Sequence, residues 1–169
     1  MLTDTGDVYC CGYSAYASPA GQPGEWEDDT SYHKPQPIPV LTNSVKVKLV
    51  SAGPMHSAAV TDSGQVFSWG FGRFGMLGHG TTDASQDPKL VTDLPPVRQI
   101  SCGGLFTAAV TTAGEVWTFG TGYIGHGCRS FEQHTPLKVV GLDDVTVAGV
   151  SCGKDHLALV TECGAMYTF

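Results

Sequence analysis

A chain of 169 residues holds one domain with a sizeable core, and 41% hydrophobic content excludes disorder over most of its length. Nine basic against sixteen acidic residues leave a net charge of −7, which opposes binding to phosphate backbones and docking on anionic membrane surfaces. Glycine at 22 and proline at 10 call for many turns and few long helices, and no apolar run reaches the ~18 residues that span a bilayer.

Taken in chain order, the first element is "LTDTGDVYCCG" (Leu2 to Gly12), a strand-turn-strand pattern. It matches "VTDSGQVFSWG" (Val60 to Gly70) further on. The start "MLTDTGDVY" and the ending "GAMYTF" both read as cuts through a longer repeat array. Between Ser18 and Pro39 lies "SPAGQPGEWEDDTSYHKPQPIP", an irregular loop that carries the extra residues of the first unit.

From Val45 onward the pattern becomes periodic. A strand over Val45 to Ala52 precedes a second over His56 to Thr61, and Asp62-Ser63-Gly64 makes a tight connection. Gly64 supplies the positive φ of that hairpin, and Gln65 to Trp69 is the return strand. A fourth short strand is expected near Lys89 to Val91. The same order recurs over Val97 to Cys102, Phe106 to Phe119 and Leu137 to Val140, and again over Val145 to Cys152 and His156 to Phe169. "SAGPMHSAAVTDSGQVFSWG", "SCGGLFTAAVTTAGEVWTFG" and "SCGKDHLALVTECGAMYTF" begin at Ser51, Ser101 and Ser151. Periods of this size with short strands indicate a propeller or β-solenoid. Four short strands per unit are the content of one propeller blade.

The repeat disposes of several apparent sites. "GFGRFG" (Gly70 to Gly75) has the G-x-G-x-x-G spacing of a dinucleotide fingerprint. It opens no helix, and "GTGYIG" (Gly120 to Gly125) follows the matching strand of the next unit. In the first unit Ser14 and Ala17 replace two of these glycines. The glycines therefore read as geometry: backbone turning sharply out of a strand in little room. Cys102 and Cys152 occupy the slot of Ala52, a buried position for a small side chain, and Cys163 a turn slot. Cys11 takes the aromatic slot of Trp69 and Phe119. No C-x-x-C pair occurs, and reduced thiols in an intracellular protein are the expectation. His56 and His156 share a slot that Phe106 fills in the middle unit, so it reads as a packing slot. His79 and His126 share a Gly-His-Gly slot and shape a loop. No catalytic residue, metal ligand or cofactor is expected from these patterns.

The stretch "SAGPMHSAAVTDSGQVFSWGFGRFGMLGHG" (Ser51 to Gly80) resembles the repeat of the regulator of chromosome condensation family, RCC1-like. Gly53, His56, Ala58, Ala59, Gly64, Trp69, Gly70, Gly72, Gly75, Leu77 and Gly78 carry the resemblance. "GTGYIGHG" (Gly120 to Gly127) departs from it, about three residues short and without the Met-Leu pair. The resemblance implies an all-β chain: three repeat units as antiparallel four-stranded blades, an arc of a seven-bladed β-propeller. Units fall at approximately 2–59, 60–109 and 110–160, with a terminal partial hairpin at 161–169 and no other domain. Three blades do not close a ring, so the chain is either an arc of a longer propeller or completes one by association.

Within that family the expected role is a protein–protein interaction module that binds through rim loops. The alternative is guanine nucleotide exchange on a small GTPase. The candidate partner-binding loop combines Glu25, Glu27, Asp28 and Asp29 with Trp26 and Tyr32, aromatic anchors amid acids that suit a basic protein partner. No membrane or nucleic-acid partner is expected, and the location is intracellular, cytoplasmic or nuclear.

Overall fold

The computed structural model describes residues 1–11, 34–42, 45–127 and 131–169. The architecture is all-β, apart from one helical turn, α1 (Pro39–Thr42), that the sequence pattern did not announce. A first complete sheet runs β3 (Val47–Ala52), β4 (His56–Thr61), β5 (Val66–Gly70) and β6 (Ser85–Leu90), neighbours pairing antiparallel in chain order. The second complete sheet repeats this with β7 (Val97–Cys102), β8 (Phe106–Thr111), β9 (Val116–Gly122) and β10 (Phe131–Lys138). A third holds β11 (Val147–Cys152), β12 (Leu157–Thr161) and β13 (Met166–Thr168). At the start of the chain a Leu2–Val8 bridge precedes the pair β1 (Tyr9–Cys10) and β2 (Gln36–Pro37). The fourth strands begin earlier than their apolar residues suggested, at Ser85 and Phe131, because each continues past a register shift onto the partner strand's glycine end.

Alternation explains how the sheets stack. Along β4, Ala58 and Val60 point to one face and Ala59 to the other. Ala58, Val60 and Val66 pack against Val97, Ile100, Cys102 and Ala109 of the next sheet. Phe106, Ala108, Val110 and Val116 pack in the same way against Val147, Val150, Leu157 and Leu159. On the other side of the first complete sheet, Val47, Ala59 and Trp69 are covered by Val8, Ile38 and Leu41. Each core is thus a layer between two sheets. Beyond the third sheet the layer is open: Val160 and Met166 are 41% and 74% exposed, where their counterparts Val110 and Val116 are buried.

Polar stitches fix the stacking angle. Ser51 Oγ accepts from the Cys102 amide at 3.0 Å, and Ser101 Oγ from the Cys152 amide at 3.0 Å. Lys48 Nζ donates to the Val97 carbonyl, and Arg98, its repeat equivalent, to the Val147 carbonyl. A Cβ on Gly53 would lie 2.7 Å from the Gly103 carbonyl oxygen, and one on Gly103 3.0 Å from that of Gly153. First strands therefore converge, while β6 carries mostly exposed side chains. This is the radial arrangement of propeller blades.

A third recurring bond orients the ends. The amides of Val47, Val97 and Val147 donate to the carbonyls of Gly6, Gly64 and Gly114. Gly64 and Gly114 are the turn glycines between second and third strands, with φ of 85° and 82°, and Gly6 follows them at 89°. All the tight turns consequently lie at one end of the stack. The connections from third to fourth strand lie at the opposite end.

Candidate partner-binding face

That opposite end carries the third-to-fourth-strand connections. They run from β1 to β2 over residues 11–35, from β5 to β6 over 71–84, and from β9 to β10 over 123–130. The predicted anchor residues Glu25, Trp26, Glu27, Asp28, Asp29 and Tyr32 belong to the first of these and lie outside the described residues. The described residues on either side of that connection, Cys10 and Gln36, pair with each other.

The second connection is built from its glycines. Gly70 has φ 111°, and a Cβ there would stand 2.8 Å from the Met55 carbonyl oxygen and from His56 Cα. Gly72 is tighter, since its Cβ would lie 1.9 Å from the Asp83 carbonyl oxygen. A Cβ on Gly75 would meet His134 and the Gln133 carbonyl of β10, so this loop lies directly on the next sheet. The Gly80 amide adds a bond to the His134 carbonyl at 2.8 Å. No helix follows these glycines, so the helix N-terminus of the dinucleotide fingerprint that their spacing imitates is missing.

The two glycine motifs are equivalent only at their first residue. Gly120, with φ 112°, repeats Gly70. Gly125, however, faces Val139 and Phe169 as Gly78 faces Val91 and Phe119. Ile124 thus takes the place of Leu77, and the shorter second loop skips the segment that includes Gly75. The G-x-G-x-x-G spelling recurs because a deletion brought a different glycine into register.

A hydroxyl-histidine device holds both loops. Ser68 Oγ donates to the Leu77 carbonyl at 2.6 Å and contacts His79 Nε2 at 2.9 Å. Thr118 Oγ1 donates to the Ile124 carbonyl at 2.7 Å and contacts His126 Nε2 at 2.9 Å. A hydroxyl has one proton, already given to the carbonyl, so each histidine donates from Nε2. Burial lowers the pKa of both histidines, which keeps them neutral donors. Thr118→Val removes both bonds at once and is expected to cost about 1–3 kcal/mol, read as a lower urea midpoint at unchanged m-value.

Sequence reasoning missed the side chains that this loop presents. Arg73 is exposed and lies over the Phe74 ring, 5.9 Å from its centroid, and Phe71 meets Phe74 edge-on at 6.2 Å. Exposed Met55 adjoins them through the Phe71 amide, which donates to its carbonyl at 2.9 Å. Tyr123 is exposed on the neighbouring loop. The legible signal was the longer loop: three extra residues at 71–77 carry Arg73 and Phe74 outward. Among the described residues no group of three or more His, Cys, Asp or Glu is placed to hold a metal ion. Nor is any helix there long and apolar enough to cross a membrane.

A family model described as the regulator of chromosome condensation (RCC1) repeat matches residues 63–110 and 113–160, and a second model of that description matches 47–75 and 97–127. The first model's repeats each start in a tight turn and end near the close of the next sheet's second strand. One repeat therefore ties two neighbouring sheets together covalently. The human E3 ubiquitin-protein ligase HERC2 is 40% identical over 58 residues, 34% of this chain and 1% of that protein. The crystal structure of human WBSCR16 superposes with a TM-score of 0.85 at 26% identity, covering 99% of this chain and 44% of that one. Prp20p from Saccharomyces cerevisiae, whose crystal structure is described with its binding properties to Gsp1p and histones, matches at TM-score 0.76 and 20% identity. That match covers 90% of this chain and 39% of Prp20p. The chain thus spans less than half the length of these relatives.

Proposed function

The chain belongs to the regulator of chromosome condensation (RCC1) repeat family, and from that premise we propose that it is a protein-binding module whose partner docks on the glycine-loop end of the sheets. One observation carries the reading. At the tight-turn end, each connection between second and third strands, 62–65, 112–115 and 162–165, has the same length. At the opposite end, the third-to-fourth-strand connections 11–35, 71–84 and 123–130 differ severalfold. The fourth-to-first-strand connections 38–46, 91–96 and 139–146, also at the tight-turn end, differ by only a few residues, so length variation is concentrated in the third-to-fourth-strand loops. Variable loops on a constant scaffold are where specificity sits.

The anchors in this reading come from two loops. Trp26 and Tyr32, set among Glu25, Glu27, Asp28 and Asp29, supply aromatic area within negative charge and suit a basic patch on a partner. Phe74 under Arg73, with Met55 beside them, supplies a second apolar contact. Burying such an anchor contributes about 2 kcal/mol or more at an interface centre. Trp26→Ala and Arg73→Ala should therefore each weaken capture of a native partner at least about tenfold, without changing the thermal midpoint. Pulldown followed by titration calorimetry measures this, and unchanged affinity in both variants contradicts the proposal. Nucleotide-release assays with small GTPases separate binding from guanine nucleotide exchange: accelerated release replaces the binding-only reading with exchange.

A further inference from the structure

The two sheet-to-sheet joints use the same positions with opposite chemistry. In the joint between the first and second complete sheets, His56 is 2% exposed and its Nε2 lies 2.7 Å from Thr107 Oγ1. Thr107 Oγ1 donates its proton to the Met76 carbonyl at 2.8 Å. The hydroxyl can then only accept from the ring, so His56 carries its proton on Nε2. Its Nδ1 is buried with no hydrogen-bond partner. In the joint between the second and third sheets, Phe106 and Leu157 hold the positions of His56 and Thr107, and both are buried. That joint contains no titratable pair at these positions.

We propose that the joint between the sheets 47–90 and 97–138 is an acid-opened hinge, and that the joint between 97–138 and 147–168 is not. A second proton on His56 would place an N–H at Nδ1, where nothing accepts it, and a charge between two packed sheets. The surroundings offer that charge no relief. The turn after β3 brings Gly53 against the ring and β5 brings Gly70 against its backbone, the loop brings the Met76 carbonyl through Thr107, and β8 brings Thr107 itself. β7 brings the titratable Cys102, whose thiol burial pushes up to about 12, so it stays neutral. Burial alone holds the imidazole down to about 4 from its usual 6.5. The sign follows from linkage. Above pH 6.5 the closed and open states are both neutral. As pH falls from 6.5 towards 4 only the open state gains the proton, so the closed joint loses stability across that window. Opening uncouples the Gly70–Gly80 loop from β10, on which it rests.

The chain contains its own reporters. Cys102 sits in the first joint with its Sγ against the Ser51 carbonyl, and Cys152 in the second with its Sγ against the Ser101 carbonyl. Labelling with 4,4′-dithiodipyridine, which reacts in mild acid, is followed by peptide mass spectrometry at pH 7.5 and 5.5 and corrected by the rates of the urea-unfolded chain. The expected result is an approximately tenfold faster modification of Cys102 at pH 5.5 with Cys152 changing less than about twofold. The double variant His56→Phe with Thr107→Leu, which copies the other joint, should abolish the acceleration at Cys102. Equal acceleration of both thiols in the unaltered chain, or none, overturns the hinge. So does a folded double variant that retains the tenfold response.

Discussion

Gly120→Ala is expected to destabilise the chain by roughly 3–5 kcal/mol, most of what holds a domain of this size folded. Two costs add at this residue. Its φ of 112° lies where only glycine is comfortable. A Cβ would also stand 2.4 Å from the Leu105 carbonyl oxygen and 2.5 Å from Phe106 Cα. Both neighbours are backbone of the paired strand and cannot rotate away. Gly127→Ala is the control. Its φ of 74° is left-handed too, but nothing lies within 4 Å of the added carbon. It should cost only about 1–2 kcal/mol. Chemical denaturation of the two variants separates crowding from backbone strain. Equal losses would mean that the tight approach at Gly120 relaxes freely, and the glycine spacing would need another explanation.

The same residues show how far the amino-acid pattern could be read. Turn glycines and strand order were legible because a tight hairpin demands one residue type at a fixed offset, and the repeat printed that demand three times. The small-residue slot was legible only in part, since Cys102 is buried but Cys152 is half-buried and Ala52 exposed, having no sheet of the same kind packed over it among the described residues. Gly125 was not legible. Deleting three residues changes which glycine meets which neighbour while leaving the spelling G-x-G-x-x-G intact, and only coordinates show that Gly125 packs on Phe169 as Gly78, and not Gly75, packs on Phe119. His56 was half legible. A slot shared with Phe106 announces burial, but the bond to Thr107 crosses between sheets, and its partner is 51 positions away in sequence. The Arg73–Phe74 contact was hidden for a different reason: a loop carries no periodicity, so nothing distinguishes a presented side chain from a solvated one. The acidic loop with Trp26 stands on composition and on its position in the array.

Exchanging chemistry between the joints tests whether His56 and Thr107 act as a pair. Phe106→Ala, which empties a fully buried ring site in the core shared by the second and third sheets, should cost about 3–5 kcal/mol. Phe106→His fills most of the volume but buries ring nitrogens opposite Leu157, where no hydroxyl waits. It should cost about 2–4 kcal/mol at pH 7.5, and more at pH 5.5 as the unfolded chain takes up the proton. Adding Leu157→Thr supplies the acceptor. Leu157→Thr alone loses apolar burial for about 2 kcal/mol, so without coupling the double variant would be the less stable of the two. A hydrogen bond between the new pair reverses part of that, with a coupling of at least about 1 kcal/mol in a double-mutant cycle. Full recovery is not expected. In the first joint Thr107 is oriented by the Met76 carbonyl, whereas the matching loop is three residues shorter and places Tyr123 before Ile124 where Met76 precedes Leu77. A coupling near zero would show that a histidine and a threonine at these two positions do not pair by themselves, and that the bond in the first joint depends on the Met76 carbonyl that orients Thr107.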